Sequence, residues 1–263
     1  MSGDILTLAP KPADARIAYG SDPNQFFDLR LPREKDRNSY PLVINIHGGY
    51  WRARYNLDHA SHLCAALTAK GLATANVEYR RVGNEGGGWP GTFADIRSAQ
   101  DFLVQSADRH KFDVERLLVM GHSAGAQLAL CLASHERAVT RVVSLAGVID
   151  LQRAYQLHLS NDAVVEFLGG TPADVPDHYR EADPMQLSVP KARQCLIHGL
   201  ADDVVPPAFS RNYVDAKHQR SGKDKEDAQL VEIRGAGHFD VIDPRSEAWK
   251  AVEKVTLDLM GRS

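Results

Sequence analysis

The chain has 263 residues, 43% of them hydrophobic and 25% charged, with a formal net charge of −3. That supports a core without disulfides or metal, and it is read as a single domain over 1–263. No basic excess marks nucleic acid or an anionic membrane as a partner. The three cysteines, Cys64, Cys131 and Cys195, are an odd, sparse set in apolar stretches. They exclude a disulfide framework and read as reduced, buried thiols. No apolar run approaches the roughly 20 residues of a membrane span. The opening MSGDILTLAP has neither a basic region nor a long apolar stretch, so no signal peptide is visible and a cytoplasmic location is expected.

In chain order, Phe26 to Leu31 (FFDLRL) reads as an early strand closed by Pro32, and Leu42 to Ile46 (LVINI) as a buried one. Leu57 to Lys70 has helical spacing and stops at Gly71, a plausible C-cap. Leu72 to Val77 is the next strand. Phe93 to Ala107 is an amphipathic helix with Phe93, Ile96 and Leu103 on one face. Arg116 to Met120 (RLLVM) is a buried strand, Ala124 to Ser134 a helix, and Arg141 to Leu145 (RVVSL) a strand. Gln194 to Ile197 and Gln229 to Ile233 are strands, each followed by a helix-like segment. Repeated βα units of this length imply an α/β protein, a mostly parallel sheet with helices on both faces. Residues from about 150 to 190 break the alternation and are read as a small lid insertion, an ordinary helical crossover being the alternative. Ser221 to Asp227 (SGKDKED) reads as a solvated loop.

Four motifs carry chemistry. The first is Gly121-His122-Ser123-Ala124-Gly125, after an apolar strand and opening a helix. A nucleophilic serine there stands on a tight, strained strand-to-helix turn, with the helix start aiming peptide N–H groups at developing negative charge. The second is His47-Gly48-Gly49-Tyr50-Trp51, after the LVINI strand. A glycine-rich turn can converge N–H groups on the oxyanion of a tetrahedral intermediate. The donors are assigned to Gly49 and Tyr50, with Gly48 as a further candidate and Ala124 from the serine turn; His47 reads as a loop brace. The third is His198-Gly199-Leu200-Ala201-Asp202-Asp203-Val204-Val205-Pro206. A carboxylate at the end of that strand can orient a histidine. Asp202 is chosen over Asp203, which reads as a helix cap, and over Asp150. The fourth is Gly235-Ala236-Gly237-His238-Phe239, the one histidine placed late in the chain. In roles, Ser123 attacks, His238 takes its proton, and Asp202 fixes the imidazole tautomer.

His59, His62, His110, His122, His135, His158, His178 and His218 show no metal-ligand spacing, so neither metal nor cofactor is expected. Gly86 to Gly91 is glycine-rich but has no Walker lysine, and reads as a loop near the substrate mouth. Tyr50, Trp51 and Trp89 can wall a substrate pocket; core packing is the alternative for the tryptophans.

Together these motifs resemble the α/β-hydrolase superfamily over nearly the whole chain. HGGYW resembles the H-G-G-x-W oxyanion motif of kynurenine formamidases (arylformamidases) and is similar to the H-G-G-G of hormone-sensitive-lipase-like esterases. Tyr50 in place of the third glycine points to the formamidase-like branch, which also includes many bacterial carboxylesterases. Gln127 departs from the histidine that formamidases often carry at that place. The resemblance implies the α/β-hydrolase fold, the Ser123, Asp202 and His238 set, and a small-molecule ester or amide substrate. The leading expectation is a carboxylesterase. The alternatives are an arylformamidase and, in another class, a non-catalytic binding protein on the same fold. No feature decides the oligomeric state.

Overall fold

The structure is a computed structural model and describes residues 3–33, 38–188, 191–221 and 228–261. Its eight strands are β1 (Ala15–Ala18), β2 (Phe26–Arg30), β3 (Tyr40–Ile46), β4 (Ala73–Val77), β5 (Phe112–His122), β6 (Arg141–Leu145), β7 (Arg193–Gly199) and β8 (Ala228–Ile233). They form one sheet in the order β1-β2-β4-β3-β5-β6-β7-β8. The first two strands pair antiparallel, and every pair from β4 to β8 is parallel. This is the α/β-hydrolase topology expected from the motifs.

Strand alternation divides the apolar residues between the two faces. Leu42, Ile44 and Ile46 of β3 face one core with Leu117 and Val119 of β5, while Val43, Leu118 and Met120 face the other. The first core is covered by α2 (Gly91–Gln105), which runs on into the single turn α3 (Ala107–His110), by α4 (Ala124–His135), and later by α8 (Ala208–Ser221). The second is covered by α1 (Ser61–Ala69) and α9 (Trp249–Leu259). The insertion carries three short helices, α5 (Leu151–Gln156), α6 (Ala163–Leu168) and α7 (Pro176–Ala182).

The chain departs from the sequence expectations in three places. β1 has mostly exposed residues, so it carried no burial pattern to read. The first turn of the helix expected from Leu57 is a 3-10 turn, Leu57–Ala60, with the Asn56 side chain accepting the Asp58 N–H. β5 begins four residues early at Phe112, where its register against β3 shifts between Pro41 and Leu42. The SGKDKED loop lies outside the described residues apart from Ser221. All three cysteines are buried free thiols. Among the described residues no helix is long and apolar enough to cross a membrane.

Candidate active site

Parallel strands end together at one edge of the sheet, and the four motifs follow β3, β5 and β7 and, after β8, a short loop. Ser123 has φ 54° and ψ −118°, a conformation an L residue adopts only when its surroundings hold it. They do so by close backbone approach. A Cβ at Gly121 would lie 2.1 Å from the Gly125 carbonyl oxygen, and one at Gly125 would lie 2.1 Å from the Ile46 carbonyl oxygen. The two glycines thus let β5, α4 and β3 meet at the serine.

The HGGYW turn is wound the same way, with Gly49, Tyr50 and Trp51 all at positive φ. The peptide N–H groups of Gly48, Gly49, Tyr50 and Ala124 have no acceptor among the described residues, so they are available to an oxyanion. His47 braces the turn from behind. Its Nδ1 donates to the Gly48 carbonyl (2.7 Å), and its Nε2 lies 2.8 Å from Glu78 Oε1. Tyr79 stacks on the His47 ring at 4.5 Å and donates to the His47 carbonyl (2.8 Å). Glu78 also accepts from the Leu57 and Tyr79 N–H groups and pairs with Arg81. Burial alone would raise the Glu78 carboxyl. His47 and Arg81 outweigh it and hold the group below its usual range.

Asp202 is buried and Asp203 exposed. Asp202 Oδ2 accepts from His238 Nδ1 at 2.7 Å, and Oδ1 accepts from the N–H groups of Val204 (2.9 Å) and Val205 (2.8 Å). Burial would push this carboxyl up, but the hydrogen bonds from His198 and His238, then the His238 charge, hold it well below the usual range. With Nδ1–H committed to Asp202, His238 keeps the Nε2 lone pair for a proton. Asp150 caps α5 through the Arg153 N–H (2.9 Å), and it is Asp202 that bonds His238.

Ser123, His238, Gly49 and Tyr50 line one cavity of about 240 Å³. Sequence reasoning missed its other walls: Leu6, Tyr55, His59, His122, Val204 and Phe239. His122 and Phe239 each adjoin a motif residue, a signal that was available; Leu6 gave none. His122 Nε2 donates to the His238 carbonyl (3.0 Å), and its ring lies 4.6 Å from the His238 ring. Burial, then His238 and His59, hold His122 far below its ordinary value, so it stays neutral. His59 is pushed down to about 3 by desolvation and then by His47. Burial, then Asp202, pushes the Tyr50 hydroxyl up to about 12. At neutral pH these three walls are uncharged.

The structure does not bring Trp51 or Trp89 to the cavity. Trp51 lies in the core, stacked 4.4 Å from Phe167 of α6, with Nε1 donating to Gln127 (3.0 Å). Gln127 in turn donates to the Ala182 carbonyl at the end of α7 (2.8 Å). Trp89 stacks on Phe93 at 5.3 Å. Phe167 of α6 takes the face of the Trp51 ring and lies edge-on to Trp89 at 6.2 Å, so aromatic partners hold both rings away from the cavity. Arg52 strengthens that join, donating from Nε (2.7 Å) and Nη2 (3.0 Å) to the two Glu166 oxygens. Among the described residues, none of the insertion lines this cavity.

The model of one protein family, BD-FAE, matches residues 27–216. The chain belongs to the BD-FAE family. This BD-FAE chain is 26% identical over 261 residues to esterase LipC of Mycobacterium tuberculosis, covering 87% of this chain and 60% of that protein. It is 27% identical over 143 residues to a kynurenine formamidase of Danio rerio, 52% of this chain and 46% of the relative. Among solved structures, an inhibited esterase B from Lactobacillus rhamnosis superposes with a TM-score of 0.82 at 18% identity, over 99% of this chain and 91% of that one. The BD-FAE chain spans about 60% of the length of the curated relatives it matches along most of its own.

Proposed function

We propose that the protein is a serine carboxylesterase acting on small, neutral esters. One observation carries the reading: Ser123, His238 and the Gly49–Tyr50 turn share one cavity, and Asp202 binds the far nitrogen of His238. Ser123 Oγ attacks the ester carbonyl carbon while His238 Nε2 takes the hydroxyl proton. The resulting oxyanion is met by peptide N–H groups of Gly49, Tyr50 and Ala124, with Gly48 beside them. Collapse expels the alcohol, which leaves with the proton from His238. Water then attacks the acyl-enzyme with His238 as base again, and the carboxylic acid departs.

The cavity, about 240 Å³, is smaller than the roughly 300–1,000 Å³ of drug-sized ligand sites, which favours a short acyl chain. Its uncharged walls favour a neutral substrate. The esterase relatives support the same reading. A second reading, cleavage of an N-formyl amide by the same groups, is supported by the partial match to a kynurenine formamidase. Three buried free thiols favour a reducing, cytoplasmic setting.

Hydrolysis of p-nitrophenyl acetate and of N-formylkynurenine, side by side, tests these readings with wild type and Ser123→Ala. The carboxylesterase reading expects fast ester cleavage that Ser123→Ala abolishes. Faster cleavage of N-formylkynurenine replaces it with the amide reading. Failure of both substrates, with no phosphonate labelling of Ser123, overturns catalysis in favour of a binding role.

A further inference from the structure

The acid loop holds a second histidine that the reaction above leaves unused. His198 on β7 is fully buried. Its Nε2 lies 3.2 Å from Asp202 Oδ2 and 3.0 Å from the Val205 carbonyl oxygen, and both of those oxygens accept. Nε2 therefore carries the proton. On the other side of the ring, Nδ1 lies 2.7 Å from Ser210 Oγ on α8, so the hydroxyl donates to it. One tautomer satisfies all three contacts.

We propose that His198 is a positioning residue for the hydrolysis: Ser210 fixes its ring, and its Nε2–H fixes the Asp202 carboxylate against His238. The inference rests on the serine-hydrolase reading of the site. Asp202 takes four donors, Val204 and Val205 N–H on Oδ1 and the two imidazoles on Oδ2. Such a carboxylate cannot turn without breaking several charge-assisted bonds. An oxygen shared between two imidazoles also gives each less negative charge. His198 thus restrains rotation of Asp202 and tempers its pull on the His238 proton. The other groups facing His238 are the neutral ring of His122 at 4.6 Å and, across the cavity, His59 and Tyr50. His198 itself faces Asp202 and Ser210.

The test compares wild type, His198→Leu, His198→Gln and Ser210→Ala. Leucine fills the space and removes the donor. Glutamine restores an N–H toward Asp202 and an oxygen toward Ser210. In His198→Leu, kcat falls about 10-fold with KM unchanged, and the acid limb of kcat/KM moves to higher pH by about half a unit to one unit. His198→Gln returns both toward wild type. Ser210→Ala moves the limb the same way by less, and it carries the test if His198→Leu does not fold.

A second readout needs no turnover. The His238 Nδ1–H resonance, assigned by its loss in His238→Gln, shifts in His198→Leu and returns in His198→Gln. If that resonance behaves so while no ester is cut, the positioning role stands and the substrate reading fails. An unmoved limb and resonance in His198→Leu and Ser210→Ala, with only thermal stability lost, overturns the inference and leaves His198 as packing.

Discussion

Two buried aspartates, one in the acid loop after β7 and one at the end of α7, carry carboxyls shifted in opposite directions, and Asp183 is the more deeply buried of the two. Asp202 takes two peptide N–H groups and two imidazoles, and its carboxyl is held well below the ordinary range. Asp183 takes the peptide N–H groups of Leu151, Gln152 and Met185, yet burial and then the charge of Asp150 push it up to about 7. At Asp183 three peptide donors do not offset the deeper desolvation and the charge of Asp150. At Asp202 chargeable partners at hydrogen-bond distance add to the peptide donors and outweigh burial. The acid loop therefore keeps Asp202 ionised, as the proposed triad needs, while Asp183, which ties α5 to the turn after α7, titrates near neutrality.

The largest expected effect breaks the first half of that contrast. Asp202→Asn lowers kcat/KM by about 10⁴-fold, the loss seen when a protease triad acid is amidated, while Asp203→Asn stays near wild type in the same assay. Should Asp203→Asn cost more, the acid has been misassigned. Next in size is the insertion. A folded Asp183 binds its proton more tightly than the unfolded chain does, so its contribution to stability is full below pH ~3.8 and is lost as pH rises through about 7. Asp183→Asn removes up to about 1.4 kcal/mol per pH unit from the slope of unfolding free energy in that window, and leaves kcat within a few-fold. Urea melts from pH 4 to 8 read the slope; an unchanged slope sinks the assignment.

His59 gives an effect of similar size and opposite sign. Its folded value, about 3 against 6.5 unfolded, makes its stability present above pH ~6.5 and lost as pH falls toward 3. His59→Gln makes the acid-side fall in Tm shallower, and a parallel fall would show that the group titrates normally. Smallest is Leu6, the exposed rim residue of the cavity. Leu6→Ala raises KM for p-nitrophenyl butyrate a few-fold with kcat kept, the size expected for one lost apolar contact. An unchanged KM removes the N-terminal segment from the binding surface.

The elements read most easily from the chain were those with apolar runs between turn residues. Arg141–Leu145 was read to the residue, because a central parallel strand is buried on both faces and its sequence says so. β1 was invisible because an exposed edge strand needs no such pattern. The motif residues Ser123, His238 and Asp202 were legible as candidates because each follows a strand within a short loop, where the proposed nucleophile, base and acid would stand. Trp51 and Trp89 were read toward the substrate as readily as toward the core. Aromatic identity alone does not say which way a ring turns, and the stacking partners Phe167 and Phe93 decided it.

From the sequence alone came the α/β class, the succession of strands from β2 onward, and the residue types that could make a nucleophile, a base, an acid and an oxyanion turn. These are local properties, written in periodicity and in a few residues of a loop. Which groups stand together was decided only in three dimensions. The Glu78–His47 brace and the cavity walls Leu6 and His59 join segments far apart in the chain at one sheet edge, and the turn after β7 folds Asp202 back onto His198. Ionisation follows the same division. Asp202 and Asp183 are the same letter in the chain, and the depth of burial, the nearby charges and the donors folded around each set their opposite shifts.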